Sequence, residues 1–261
     1  MEVVPLPGAA EVGVLAADTI EALVLARPRA VLGLATGSSP LPTYQELIRR
    51  HAAGTGPTYD EVRCFTLDEY VGLPPGHPQS YRETVLRELT DQLGIGRDRV
   101  AGPDPRPEGL ADAGRRYEDA IVAAGGVDLQ VLGIGADGHL AFNEPGSSLA
   151  SLTRIKTLTE QTRRDNARFF GSVDEVPHHA LTQGLGTILR ARHLLLVASG
   201  AGKADAIAAA VEGPLSATCP ASVLQLHPHV SLLIDDAAAS GLARADHYRE
   251  VYAGKPRWQG L

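Results

Sequence analysis

VLGLATGSSPLPTYQELIRRH, residues 31–51, joins a short apolar run to a glycine turn and then to a predicted helix. A run of this length bounded by glycine is typical of a fully buried strand. Further strands are predicted over 62–70, 127–135, 193–200 and 230–235, and helices over 40–51, 79–93, 111–126 and 203–213. Alternating strands and helices predict βαβ units. We therefore expect an α/β fold with a mostly parallel central sheet and helices on both faces.

Composition limits the class of protein. The 261 residues carry a net charge of −7, which argues against non-specific binding to nucleic acid. No apolar run approaches the roughly 20 residues of a membrane span, and the N-terminal residues do not resemble a secretory signal. Only two cysteines, Cys64 and Cys219, are present, so we expect a cytoplasmic protein in a reducing compartment. Because no linker or repeat interrupts the pattern, we predict a single domain over residues 1–261.

The turn after the first strand has the composition of an anion site. The hydroxyls of Thr36, Ser38 and Ser39, with free N–H groups around Gly37, would surround an anion at a helix N-terminus. Ser39 is placed to cap that helix, with Pro40 as its first residue. The alternative is a plain capped turn between a strand and a helix, and these residues alone do not exclude it.

Two adjacent acids, Asp68 and Glu69, end the strand predicted over 62–70. Neighbouring strand residues face opposite sides, so only one of them is expected to enter a given cleft. The alternative is a solvated pair of loop acids, which the two residues by themselves favour.

Residues 132–148, LGIGADGHLAFNEPGSS, are the most informative segment for chemistry. Gly133, Gly135 and Gly138 match the G-x-G-x-x-G pattern of dinucleotide sites. That pattern requires a helix from the third glycine, but Pro145 interrupts any long helix here. A dinucleotide cofactor is therefore not expected.

The same segment brings Asp137, His139 and Glu144 close together in sequence. Two carboxylates beside one imidazole can orient the ring and stabilise its charged form, as a general acid requires. A loop histidine in a surface salt bridge is the alternative, and the three residues leave both open.

VASGAGKADA, residues 197–206, resembles an ATP-binding P-loop only superficially. Val197 stands where that pattern needs glycine, and Ala204 replaces the hydroxyl residue that would hold magnesium. Lys203 can still meet a phosphate as a point charge. The histidine and cysteine spacings match no metal motif, so we predict no metal.

Together these segments resemble the glucosamine-6-phosphate deaminase family, also called glucosamine-6-phosphate isomerase. The motifs that carry the resemblance follow the family's order over residues 3–229: LGLATGSSPLPTY, FTLDEYVGLP, HPQSY, GIGADGHLAFNEPGSSLASLTRIKTLT, NARFF, ALTQGLGTIL, GAGKADA, AVEGP and SVLQLHPH. The resemblance weakens in the C-terminal tail. It implies a Rossmann-like α/β fold and the conversion of glucosamine 6-phosphate and water into fructose 6-phosphate and ammonia, without a cofactor.

The family's site residues carry over by matching motif. The resemblance implies that Asp68 is the base that moves a proton between C2 and C1, and that His139 assists opening of the pyranose ring. Asp137 and Glu144 would orient that imidazole. The substrate phosphate would rest on Thr36, Gly37, Ser38 and Ser39, with charge supplied by Arg168 and Lys203.

The resemblance also implies a second phosphate site, which would bind N-acetylglucosamine 6-phosphate between the subunits of a homohexamer. The matching residues are Ser147, Arg154, Lys156 and Thr157, with Tyr248 as a C-terminal aromatic. If the segment is extended, Arg154 and Lys156 lie on one side of it. A basic surface strand is the alternative.

Two other functions stay open at this point. A related sugar-phosphate enzyme, such as a 6-phosphogluconolactonase, would share the phosphate turn but would need no base for C2. A non-catalytic sugar-phosphate sensor would not need a full set of acid–base residues. The combination of DEYVGLP with DGHLAFNEP favours the deaminase.

Overall fold

The central strands are short apolar runs in which nearly every residue is buried. The computed structural model describes residues 1–256 and 258–261. The strands in these ranges are β1 (Glu2–Leu6), β2 (Val31–Leu34), β3 (Arg63–Thr66), β4 (Asp68–Tyr70), β5 (Val100–Ala101), β6 (Leu129–Leu132), β7 (Arg154–Thr157), β8 (His179–Thr182), β9 (His193–Ala198) and β10 (Val230–Asp235). Every residue of β2, β6, β9 and β10 is buried, which is typical of parallel strands covered on both faces.

Seven of these strands form the central sheet, in the order β1–β10–β9–β6–β2–β3–β5. Each pairing within it is parallel. The predicted α/β fold with a parallel central sheet flanked by helices is therefore confirmed. Because the strands point the same way, the loops that leave their carboxyl ends meet at one edge, where ligands bind in open α/β sheets.

The helices follow the predicted alternation. Their bounds are α1 (Ala9–Ala26), α2 (Leu41–Ala52), α3 (Tyr81–Val85), α4 (Leu110–Ala123), α5 (Glu160–Asn166), α6 (Leu185–Ile188), α7 (Ala204–Val211), α8 (Asp236–Ala239) and α9 (Ala245–Ala253). The helix predicted over 79–93 is α3 continued by a π-helical turn, Leu86–Thr90. Among the helices of the described ranges, none is long and apolar enough to cross a membrane.

The start of α2 differs from the prediction. Pro40 is the cap residue rather than the first helical residue, and no side chain caps the helix, so Ser39 is not its N-cap. The chain first makes a turn over residues 38–40, and the N–H of Tyr44 then bonds the carbonyl of Pro40 at 3.1 Å. The hydroxyl of Ser39 is therefore not committed to the helix.

A second, three-stranded sheet was not predicted. Its order is β4–β8–β7, and both pairings are antiparallel. The stretch expected as one strand over 62–70 divides at Leu67, so that β3 joins the central sheet and β4 joins the second. The carbonyl of Leu67 accepts the N–H of Gln183 at 2.8 Å, at the point where the chain passes from one sheet to the other. A small buried cluster of Tyr70, Phe142, Leu158, Val176 and Ala180 packs in this region.

Candidate active site

The turns that follow β2 and β6 meet at the carboxyl edge of the central sheet. A Cβ on Gly133 would lie 3.4 Å from the Cβ of Ser39, so the two turns are in contact. Thr36 and Ser39 are half-buried, whereas Gly37 and Ser38 are exposed. Gly37 has φ +95°, a conformation that favours glycine. The predicted phosphate turn therefore borders the segment that carries the candidate acid–base residues.

Asp68, the first residue of β4, has a buried carboxylate that is only 8% exposed. No residue in the described ranges donates a hydrogen bond to it. Burial, and to a smaller degree the charge of Glu69, raises the pKa of Asp68 to about 8. A carboxylate that titrates near neutral pH can both accept and release a proton, which makes Asp68 a candidate for proton transfer.

Glu69 has the opposite environment. Its carboxylate accepts hydrogen bonds from the N–H groups of Tyr70, Tyr81 and Arg82 at 2.9, 3.0 and 3.1 Å and from the hydroxyl of Ser80 at 2.6 Å. These bonds fasten the start of α3 to β4. Of the two adjacent acids, Glu69 therefore stabilises the fold, whereas the carboxylate of Asp68 has no hydrogen-bond partner in the part of the chain that the structure describes.

Asp137 and His139 form a hydrogen-bonded pair. Nδ1 of His139 lies 2.6 Å from Oδ1 of Asp137, and the backbone N–H of His139 donates to the same oxygen at 3.1 Å. The ring lies over Gly135, where a Cβ would come within 2.2 Å of ring atoms, so the close approach requires glycine. Asp137 thus fixes Nδ1 and leaves Nε2 for a substrate.

Glu144 makes no hydrogen bond or ion pair with His139. It accepts the hydroxyl of Thr162 and, at 3.4 Å, that of Thr159, both near the start of α5. Of the two carboxylates predicted to orient the imidazole, Asp137 contacts the ring in this structure and Glu144 does not. A tight turn over residues 140–143 separates Glu144 from the ring.

Lys203 and Arg168 come from distant parts of the chain but lie near each other. Burial lowers the pKa of Lys203, the charge of Asp137 raises it, and the charge of Arg168 lowers it. Charges influence each other in this way only at short range. Lys203 is therefore within electrostatic range of both Asp137 and Arg168.

The basic residues predicted for a second phosphate site lie on β7. Arg154 and Lys156 are half-buried, whereas Ile155 and Thr157 between and after them are exposed. The two cations therefore share one side of an extended strand, as expected. Burial lowers the pKa of Arg154.

The other two residues predicted for that site have different surroundings. Ser147 is buried, and its hydroxyl lacks a hydrogen-bond partner among the residues that the structure describes. Tyr248 lies on α9, which packs against β1, and burial together with the charge of Glu212 raises its pKa. Tyr248 is thus in a different region of the chain from Arg154.

Several residues that connect these segments were missed. Asn143 is fully buried, and its amide contacts Leu140, Gln183 and Arg154. Thr159 caps α5 with its side chain. A threonine before an acidic residue and a helical run is a recognisable start signal, so Thr159 could have been predicted. Asn143 has no comparable local signal.

Two histidines outside the site, His193 and His229, are held by contacts within the fold. The rings of His193 and His229 stack with centroids 3.7 Å apart, and Nε2 of His193 lies 2.9 Å from the hydroxyl of Ser231. In the ranges described, no three His, Cys, Asp or Glu side chains are arranged to hold a metal ion.

Residues 8–232 match the family described as glucosamine-6-phosphate isomerases/6-phosphogluconolactonase. The chain belongs to this family. A glucosamine-6-phosphate deaminase of Arthrobacter sp. (strain FB24) is 63% identical over 261 residues and is covered, like this chain, to 100%. One of Streptomyces avermitilis is 58% identical over 262 residues, again with 100% of both chains covered. The resemblance inferred from the motifs is confirmed.

Solved structures of the family share the fold. One described as a monomeric glucosamine-6-phosphate deaminase has a TM-score of 0.88 and 41% identity, covering 92% of this chain and 100% of its own. The 6-phosphogluconolactonase of Trypanosoma brucei has a TM-score of 0.75 at 20% identity, covering 93% and 98%. The second likeness concerns the fold alone.

Proposed function

We propose that the chain isomerises and deaminates glucosamine 6-phosphate to fructose 6-phosphate and ammonia, in the breakdown of N-acetylglucosamine. The observation that carries the proposal is the buried carboxylate of Asp68, which has no hydrogen-bond partner among residues 1–256 and 258–261 and whose pKa is raised to about 8. A lactone hydrolase moves no C2 proton and has no use for such a base. The names of full-length relatives support the same substrate.

His139 is proposed to open the sugar ring. Closed glucosamine 6-phosphate has no free carbonyl, so a proton must first move between O1 and the ring oxygen O5. Because Asp137 holds Nδ1 at 2.6 Å, Nε2 is the ring atom that exchanges this proton. Glu144 is proposed to support this step indirectly, from its anchorage at the start of α5.

Asp68 is proposed to carry the proton between C2 and C1. Once the aldehyde is exposed, the C2 proton becomes acidic. Its transfer to C1, together with passage of an amine proton to O1, gives a ketimine at C2. Water adds to C2 and ammonia leaves, which completes the balance of the reaction. The tuned pKa of Asp68 suits both halves of the transfer. Each step is a proton transfer or an addition, so no cofactor is required.

The substrate phosphate is proposed to rest on residues 36–39 between Lys203 and Arg168. In a protein with a net charge of −7, an anion needs local positive groups. The hydroxyls and backbone N–H groups of the turn would add hydrogen bonds to the charges of the two cations.

Release of ammonia from glucosamine 6-phosphate by the purified protein tests the proposal. Asp68→Asn is compared with Asp112→Asn, which removes an exposed carboxylate on α4. We expect the parent and Asp112→Asn to release ammonia equally fast, and Asp68→Asn to be slower by at least about 10²-fold. Hydrolysis of 6-phosphogluconolactone without ammonia release would identify a lactonase instead, and binding without turnover would identify a sensor.

We further propose that N-acetylglucosamine 6-phosphate activates a cytoplasmic homohexamer. Arg154 and Lys156, half-buried on one side of β7, support a second phosphate site there. That site would be completed by Ser147, Thr157 and Tyr248. A related deaminase is described as monomeric, so the mass of the protein in solution is measured first. Substrate saturation with and without the effector follows, in the parent and in Lys156→Ala, and superimposable parental curves would end the proposal of activation.

A further inference from the structure

Asn143 lies where three segments of the candidate active site meet. Its side chain is 0% exposed. Nδ2 donates to the carbonyl of Leu140 at 2.9 Å and to that of Gln183 at 2.8 Å, and Oδ1 accepts from Nη1 of Arg154 at 2.8 Å. Because a carbonyl only accepts and a guanidinium only donates, the amide fits in a single orientation.

The first contact holds residues 139–144, here called the catalytic turn. The carbonyl of Leu140, directly after His139, accepts both the backbone N–H of Asn143 at 3.0 Å and its Nδ2. Between them Ala141 has φ +52°, the only positive φ of a non-glycine residue in the described ranges. That conformation costs about 1–2 kcal/mol and persists only where its surroundings hold it. The bonds from Asn143 supply that constraint.

The second contact ties the catalytic turn to the strand beside the proposed base. Gln183 directly follows β8, and its N–H bonds the carbonyl of Leu67, the residue before Asp68. Thr182, at the end of β8, is the register partner of Asp68. The bond from Asn143 to the carbonyl of Gln183 therefore connects the turn of the imidazole with the strand that positions the base.

The third contact of Asn143 comes from Arg154 on β7, which pairs with β8 on the side opposite β4. Thr182 is also the register partner of Arg154 on β7, so Asp68 and Arg154 flank it across the second sheet. Arg154 donates to the one amide oxygen that the carbonyls of the other two segments cannot use. It thereby prevents the amide of Asn143 from rotating.

We propose that Asn143, held by Arg154, is a positioning residue that sets the distance between Asp68 and His139 without touching the substrate. The inference rests on the proposed deamination, because it assigns those two residues their roles.

Two variants separate the hydrogen bonds that Asn143 donates from the one that it accepts from Arg154. Asn143→Asp keeps the shape and the oxygen that Arg154 bonds, but it loses the Nδ2 donor. Arg154→Met keeps the aliphatic stem and loses the donor to Oδ1. Arg115→Met removes an exposed guanidinium on α4 and serves as the matched control.

We expect Asn143→Asp to lower kcat about ten- to a hundredfold, because a misplacement of about 1 Å between reacting groups has an effect of this size. Its KM should stay within about threefold of the parental value, since the phosphate residues are untouched. Arg154→Met should lower kcat by about three- to tenfold, and Arg115→Met should match the parent. The double variant with Asn143→Asp and Arg154→Met should be no more than about twofold slower than Asn143→Asp alone, because both changes act through the same hydrogen-bonded pair.

Thermal unfolding of each variant accompanies the kinetics, and Arg154→Met on the half-buried edge strand remains informative if Asn143→Asp does not fold. Parental kcat in Arg154→Met, a loss confined to KM, or multiplicative losses in the double variant would each overturn the positioning role. If the parent releases no ammonia, the proposed function falls and the inference falls with it. If the parent does release ammonia and the variants keep its kcat, only the inference falls.

Discussion

Two buried aspartates lie at opposite edges of the central sheet and have opposite surroundings. Asp128 directly precedes β6 at the amino edge and is 7% exposed, and Asp68 follows β3 at the carboxyl edge and is 8% exposed. Asp128 accepts the N–H of Val31 at 2.8 Å, a guanidinium N–H of Arg192 at 2.9 Å and one of Arg27. Asp68 has no such partner in the described ranges.

Burial alone therefore does not reveal what a carboxylate does. The buried carboxylate of Asp128 accepts hydrogen bonds from a backbone N–H and two guanidiniums, so it stabilises the amino edge of the sheet. A buried carboxyl without partners costs stability but stays reactive, which is typical of functional sites. The first is therefore expected to matter for folding and the second for turnover.

The largest expected effect is on turnover. Asp68→Asn should lower kcat for ammonia release by about 10²–10⁴-fold, because the amide cannot accept the C2 proton. Asp128→Asn should leave kcat within about threefold of the parent, since it lies at the edge away from the site. Steady-state rates of the two variants measure this difference, and comparable losses would contradict the division of roles.

The second effect is on the pH dependence of stability. The unfolded carboxyl has a pKa of about 3.9, and that of folded Asp68 is raised to about 8. Between these values the folded state binds more protons than the unfolded state, so the free energy of unfolding falls as pH rises through this window. Asparagine does not titrate, so Asp68→Asn should be more stable than the parent. The difference in the free energy of unfolding should grow by up to about 1.4 kcal/mol for each unit by which the pH rises within this window.

Urea unfolding at about pH 5, 6.5 and 8 measures that difference. Asp112→Asn is the control, since its carboxylate is exposed and should show no comparable trend. A difference for Asp68→Asn that stays constant across the range would mean that the carboxyl of Asp68 titrates normally in the folded protein.

The third effect is a loss of stability at the amino edge. Asp128→Ala should reduce the free energy of unfolding by about 1–3 kcal/mol, because the buried N–H of Val31 loses its acceptor. Arg27→Ala should cost less than about 1 kcal/mol, since that side chain is half-exposed and screened by solvent. Urea unfolding measures the free energy of unfolding of both variants. Equal losses would mean that the ion pair, and not the hydrogen bond from the N–H of Val31, provides the stability.

The smallest expected effect is on substrate affinity. Lys203→Ala should raise KM for glucosamine 6-phosphate about tenfold, the size of one charge-assisted hydrogen bond. Arg192→Ala removes a cation at the amino edge instead and should leave KM unchanged. An unchanged KM in Lys203→Ala would exclude that residue from the phosphate site.

The central strands were predictable because their pattern is local. β2, β9 and β10 are short apolar runs in which every residue is buried. Strands buried on both faces can be recognised from such a run without knowing the strands they pair with. Their parallel direction follows from the helices between them. The edge where their carboxyl ends meet, and the residue types placed there, could therefore be predicted from residues 31–39 and 132–144.

The second sheet was not predictable because its pairings are not local. β4 has only three residues, and it pairs with β8, more than a hundred residues later in the chain. Nothing near Leu67 in sequence marks the break between the two sheets. The partners of Glu144 were missed for the same reason, since Thr162 meets it only after α5 folds back.

The parallel α/β architecture, the carboxyl edge as the place of the site and the acids and cations available there follow from residue type and order, because these features depend on local sequence. Which acids have hydrogen-bond partners follows only from the folded chain. Asp68 and Glu69 are neighbours in the same strand, yet one accepts four hydrogen bonds and the other none within the described ranges. Desolvation and hydrogen bonding are set by groups that folding brings together from distant positions, and those groups give Asp68 the raised pKa that its proposed role requires.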